Sequence, residues 1–181
     1  MDNPNILTLP KIGSSVMLRC LQAEDLSEMY RIESDPDVKR YLNGPTRVPR
    51  EEWIRGVESK LSRCQTLAVL AKATGQFAGR AALDQYLDSD YPDAEVTREI
   101  QVVISQDYRG RHFGREVCKI LIPAAFNELG AEQVIGVVHP QNKHCLKLLH
   151  TFGFEEKGVI SKPSSWQHGN LRFVLPRSIY V

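Results

Sequence analysis

Between Tyr108 and Glu116 the chain reads YRGRHFGRE, which sets Arg109, Arg111 and Arg115 among two glycines and a histidine. Downstream, Val117, Ile120, Leu121, Ala124, Ala125 and Leu129 recur with the 3.6-residue period of a helix, so the basic turn stands at a helix N-terminus. The first N–H groups of a helix have no acceptor within it, and the aligned peptide dipoles place about half a positive charge at that end. Glycines there let the backbone come close to a ligand, and arginines deepen the pull. The chemistry is that of holding an anion. Neither GxxxxGK followed by Ser or Thr nor GxGxxG after a first parallel strand is present, so the turn is of another kind.

A second set of polar groups lies just upstream, in TREIQVVIS. Side chains alternate along a strand, which puts Ile100, Val102 and Ile104 on one face and Glu99, Gln101 and Val103 on the other, so two polar groups line one side. His139, His144 and His150 are spaced by five and six residues, which fits neither a helix-face ligand pair nor a zinc pattern, and no metal site is expected. Cys20, Cys64, Cys118 and Cys145 lie far apart with no CxxC, and reduced thiols are expected.

Elements that would carry these groups can be read along the chain. VMLRCL is a strand, AEDLSEMYRIES a helix ended by DPD, and VPREEWIRGVESKL a second helix with Trp53, Val57 and Leu61 as its apolar stripe. QTLAVLAKA and QFAGRAALDQYL form a hairpin about TG and, with TREIQVVIS, an antiparallel meander. The helix after the basic turn runs to about Gly130. Its internal Pro123 costs roughly 3 kcal/mol and predicts a kink near Lys119 to Pro123 unless packing compensates. QVIGVVH then reads as a buried strand, PQNKHCLKLLHTFGF as a short helix closed by Gly153, and EEKGVISKP with NLRFVLPR as a hairpin joined through SSWQHG. The order is α+β: a mixed, mostly antiparallel twisted sheet flanked by helices, with one strand–helix–strand crossover near its centre.

With 181 residues and 42% hydrophobic content, residues 1–181 suit a single domain, residues 1–14 forming a mobile tail. Lys and Arg total 23 against 22 Asp and Glu, a net charge of +1, so no global field points to nucleic acid or to an anionic membrane. No apolar run approaches the ~18 residues of a membrane span, and the N-terminus lacks the pattern of a secretory leader. A cytoplasmic location is expected.

The basic turn resembles the pyrophosphate-binding turn of the GNAT family of N-acetyltransferases, a (Q/R)xxGx(G/A) segment whose ends match Arg109 and Gly114. GVVHPQNKHCLKLLHTFGFEEKG resembles the family's second signature, with Asn142, Gly153 and Phe154 in place. MLRCLQAEDLSEMYRIESDPDVKRYL and Glu116 resemble the branch that contains ribosomal-protein N-terminal acetyltransferases, so the likeness spans roughly residues 16–176. The family's central glycine is His112 here, and its helix tyrosine is Leu149.

The resemblance implies the acyl-CoA N-acyltransferase fold and acetyl-CoA as cosubstrate. It assigns the diphosphate to Arg109, Gly110, Arg111, His112, Phe113, Gly114 and Arg115, with Asn142 as a further cofactor contact. Backbone groups of Val102, Val103 and Ile104 would face the pantetheine arm. Glu99 stands where related enzymes draw a general base. Cys145 stands where the ribosomal-protein branch has a serine, and is the candidate acid. Asp84, Asp88, Asp90, Asp93, Glu95 and Glu99 make a local negative field suited to a cationic amine, either a protein N-terminus or a small molecule. A catalytically inactive CoA-binding module is the alternative, and a homodimer is compatible with either reading.

Overall fold

The computed structural model describes residues 6–42, 49–59, 61–86, 97–162, 165 and 167–180. Strands β1 (Lys11–Ile12), β2 (Val16–Cys20), β3 (Thr66–Ala71), β4 (Phe77–Gln85), β5 (Thr97–Ile104), β6 (Gln133–Val138), β7 (Glu155–Val159) and β8 (Leu171–Pro176) form one sheet in the order β1-β2-β3-β4-β5-β6-β8-β7. Every neighbouring pair is antiparallel except β5 and β6. That parallel pair needs a crossover, which helix α4 (Phe113–Asn127) supplies.

Both faces of the sheet are covered because the strands alternate apolar residues toward two layers. In β3, Leu67 and Val69 join the main core with Val117, Leu121, Ile122 and Ala125 of α4 and Leu149 of α5 (Lys143–Thr151). Ala68 and Leu70 turn the other way, toward Leu26 and Met29 of α1 (Leu26–Ser34) and Trp53, Ile54 and Val57 of α3 (Arg50–Glu58). Helix α2 (Pro36–Lys39) starts on Asp35, whose side chain accepts from Asp37 N–H. A short α6 (Arg177–Tyr180) follows β8.

Helical structure continues through Pro123, with Ile122, Ala124 and Ala125 buried around it, so packing compensates for the lost hydrogen bond. The helix stops at Asn127, and Gly130 reverses the chain at φ +63°.

Two expectations are corrected. The segment read as a tail is docked from Leu7 onward: Leu7 and Leu9 pack on the main core, Thr8 N–H donates to Glu128 Oε2 at 2.8 Å, and β1 pairs with β2. Cys20 and Cys64 are joined in a disulfide. Antiparallel pairing of β2 with β3 sets Cys20 opposite Leu67, which brings residues 44 apart in sequence to a Cα–Cα distance of 5.1 Å. Cys118 and Cys145 are free thiols, as expected.

The end of β5 is held by an unusually close approach of β4. The β3–β4 register slips at Gly79, where a Cβ would lie 2.1 Å from the carbonyl oxygen of Val103. Gly79→Ala must push β4 and β5 apart, and is expected to destabilise the fold by about 3 kcal/mol, a fall of roughly 6–12 °C in Tm by calorimetry.

Candidate active site

A single 3₁₀ turn, Gln106–Tyr108, leads from β5 into the basic segment, and Arg109 N–H closes it on Gln106 C=O at 3.2 Å. Gly110 has φ +74° and His112 has φ +63°, ψ +11°. His112 therefore holds the left-handed conformation that a glycine would adopt without strain, at a cost of about 1–2 kcal/mol. Among the described residues the N–H groups from Gly110 through Arg115 make no backbone hydrogen bond, and the first intrahelical bond is Glu116 N–H to His112 C=O at 3.0 Å. The turn is a run of free donors at the positive end of a 15-residue helix.

Its side chains divide by role. Phe113 is buried and stacks on Tyr108 at 5.2 Å, so it can offer a ligand only its N–H. Arg111 lies over the Tyr108 ring at 5.5 Å, while the Tyr108 hydroxyl donates to Gln76 Oε1 at 3.0 Å. Arg109 and Arg115 are exposed and, among the described residues, stand in no ion pair. Glu116 ties the β1–β2 turn to α4 by accepting from Ser15 N–H at 2.8 Å.

Beside this turn the sheet opens. β5 and β6 pair only at Thr97–Gln133, Arg98–Val134 and Glu99–Ile135, whereas β5 stays on β4 as far as Ile104. From Ile100 to Ile104 one edge of β5, Val102 and Val103 included, has no strand partner among the described residues. At Gly114 a Cβ would lie 3.8 Å from Ile104 Cγ1 and 4.0 Å from Leu148 Cδ2, so β5, α4 and α5 converge there around space that a larger side chain would fill. Asn142 caps α5, its side chain accepting from Cys145 N–H at 3.2 Å.

Glu99 is the last residue of β5 to pair with β6, at the point where those two strands part. It is only 8% exposed, and its Oε1 accepts from Gln167 Nε2 at 2.7 Å. Burial pushes its pKa up to about 7; the Gln167 donation opposes that rise, Asp84 directly across on β4 adds to it, and Gln101 opposes it. Burial also raises the Asp84 carboxyl, against the nearby Arg80. Arg80 in turn is paired with Glu33 of α1, and its Nη1 donates to Gln101 Oε1 at 3.4 Å. Glu99 and Gln101 share the face expected from the alternation, and Arg98 points to the other. Asp88, Asp90, Asp93 and Glu95 of the acidic segment lie outside the described residues.

Gln167 was not legible in sequence, because it reaches Glu99 across 68 positions from the β7–β8 connection. Cys145 packs against the main core beside Cys118, and burial lifts its thiol to about 11 and that of Cys118 to about 12. Cys145 thus stays protonated at neutral pH, and surrendering that proton to a thiolate of ordinary basicity costs roughly 3 kcal/mol. Leu149, in place of a tyrosine, is packed on Gly136 of β6. His139 Nδ1 accepts from Gln141 N–H at 3.2 Å, and His150 sits edge-on to Phe173 at 5.3 Å. Among the described residues no three metal-ligating side chains converge, and no helix is long and apolar enough to cross a membrane.

A run of free amides at a helix start, beside a sheet that opens between two parallel strands, is the architecture of an acyl-CoA transferase. The model of the acetyltransferase (GNAT) domain matches residues 15–155, and the chain belongs to that family of acetyl-CoA-dependent acetyltransferases. An uncharacterized N-acetyltransferase, p20 of Bacillus licheniformis, is 24% identical over 148 residues, covering 79% of this chain and 80% of that one. The spermidine N-acetyltransferase of Vibrio cholerae, solved with CoA and spermine, superposes with a TM-score of 0.76 at 17% identity, over 93% of this chain and 99% of that one. A GNAT-family acetyltransferase of Bacillus anthracis gives 0.74 at 16% identity, over 93% and 96%.

A carboxyl whose pKa is raised by folding weakens the fold as it ionises. Below pH 4.5 Glu99 is protonated whether folded or not; as pH rises through about 7 the folded state must carry a buried charge. Glu99→Gln is expected to stabilise the protein by about 3 kcal/mol at pH 8 and by about 1 kcal/mol or less at pH 5, measured by urea unfolding.

Proposed function

We propose that this enzyme acetylates a primary amine by direct attack on acetyl-CoA in a ternary complex, with Glu99 as the general base. The observation that carries the reading is the place of Glu99: a buried carboxyl, with its pKa brought to about 7, at the vertex where β5 and β6 separate. Bound acetyl-CoA supplies an acyl group activated as a thioester. The amides from Gly110 to Arg115, with Arg109 and Arg115, hold its diphosphate; the open edge of β5 at Val102, Val103 and Ile104 meets the pantetheine arm and gives one N–H to the thioester carbonyl. Asn142, at the head of α5, is the remaining cofactor contact.

Glu99 takes a proton from the acceptor ammonium, so that a neutral nitrogen attacks; the C–N bond forms as the C–S bond breaks, the sulfur leaves as thiolate, and the second proton, shed by the acylated nitrogen, passes to solvent. The magnitudes favour this assignment. Against an ammonium of lysine-like pKa, a base near 7 is mismatched by about 5 kcal/mol, against the roughly 8 kcal/mol that an ordinary glutamate would face. Against an α-amino group the mismatch falls to about 1 kcal/mol. Cys145 serves the thiolate as a hydrogen-bond donor, and the proton on Glu99 is the cheaper source for full transfer.

The acceptor is a cationic amine. The carboxylates of Asp84 and Glu99 favour such a group, and the Vibrio cholerae relative was solved with spermine. The energetic match ranks an exposed protein N-terminus ahead of a lysine-like or polyamine nitrogen, and acetyl-CoA turnover over a panel holding both kinds tests that order.

Arg109 and Arg115 replaced together by alanine are expected to weaken CoA binding by about 1–3 kcal/mol in titration calorimetry. Glu99→Gln is expected to lower kcat by about 10²–10⁴-fold with little change in KM for acetyl-CoA. It should also remove the rise of wild-type activity through pH 7; an unchanged profile would remove Glu99 as base.

A further inference from the structure

We propose that Gln167 is a positioning residue for the reaction: it fixes one carboxylate oxygen of Glu99 and leaves the other to take the acceptor's proton. This rests on the reading of Glu99 as base. The geometry is specific. Gln167 is 5% exposed, and its Nε2 donates to Glu99 Oε1 at 2.7 Å. Its backbone is itself fixed: Gln167 N–H donates to Ser165 Oγ at 3.2 Å, Asn170 N–H returns to Gln167 C=O at 3.0 Å, and Ile160 N–H donates to Asn170 C=O at 2.9 Å. Gly169, at φ +83°, closes the turn with its N–H on Ile160 C=O at 2.9 Å. The amide therefore reaches Glu99 from a braced turn, and little freedom is lost in aiming it.

Of the other groups on this face, Gln101 alone among the described residues also hydrogen-bonds Glu99, and it does so from within the same strand. From β4, Asp84 lies opposite Glu99 and opposes its ionisation, while Arg80 is engaged by Glu33. From β5 itself, Gln101 accepts from Arg80 through its Oε1 and hydrogen-bonds Glu99 as well, the weaker of the two contacts that favour its ionised form. From β6 the neighbours are Ile135 and Val137, and from β8 the register places Val174 and then Arg172 on this side. Among the described residues Gln167 is the side chain that donates to Glu99 from outside the sheet, and a donor favours the ionised form. It offsets Asp84, so the working range of the base is set between the two.

Gln167→Met keeps the length and removes the donor. In the intact enzyme it is expected to move the acid limb of kcat/KM up by about one pH unit, with about a fivefold loss at pH 7 that fades above pH 9 and with CoA affinity unchanged. An acid limb left in place, or an equal loss at every pH, would overturn the proposal. A second measurement needs no variant: in wild-type protein the Gln167 side-chain amide resonances should titrate with the same midpoint as the Glu99 carboxyl carbon, and amide resonances that stay flat through that midpoint would overturn it too. Glu99→Gln separates the two readings. If that variant keeps the acid limb, the base assignment falls; if it loses the limb while Gln167→Met leaves it unmoved, only the role of Gln167 falls.

Discussion

Pairing between β5 and β6 ends at Glu99 and Ile135, and the site is built on that ending. A parallel pair that continued to Ile104 would consume the backbone groups that now line an open edge. It would also bury Glu99 in the middle of a ladder instead of at its end. Glycines pack the two strands closely against neighbours other than each other. Gly79 lets β4 hold the far end of β5 in close contact, and Gly136 lets Leu149 of α5 pack tightly on β6. β5 stays on β4 as far as Ile104, and its open edge leads to the free amides at the head of α4.

The charges follow from the same geometry. Glu99 sits in a row across the sheet with Asp84 on one side and apolar Ile135 and Val174 on the other. Water is excluded, and a second carboxyl is near, so ionisation is costly. Gln167 and Gln101 return part of that cost. The balance brings the carboxyl near neutrality, where a base can both hold and release a proton. It also spends stability, because at working pH the fold carries a charge that the unfolded chain would leave in water. With Glu99 as the proposed base, removing that charge is expected to strengthen the protein while silencing it.

Much of this architecture was legible in the sequence, and the reasons are local. The 3.6-residue period after Arg115, the two-residue alternation in TREIQVVIS and the Asn142 cap are short-range signals, and each element forms where they point. That His112 stands where the resembled turn has glycine was also legible, while its positive φ is a finding of the structure. What escaped is long-range. The Cys20–Cys64 bond depends on β2 lying beside β3, the docking of Leu7 and Leu9 on a core assembled from much later elements, and the Gln167 contact on the β7–β8 connection reaching Glu99. Spacing holds no trace of such pairs, because tertiary structure alone makes them neighbours.

Residue-resolved amide hydrogen exchange, with and without acetyl-CoA, tests most directly whether the open edge and the free amides form one binding surface. Slowed exchange confined to Gly110–Arg115 and to the outer edge of β5 near Val102–Ile104 is the expected result. Protection elsewhere, with both segments exchanging as fast as in the free enzyme, would contradict it.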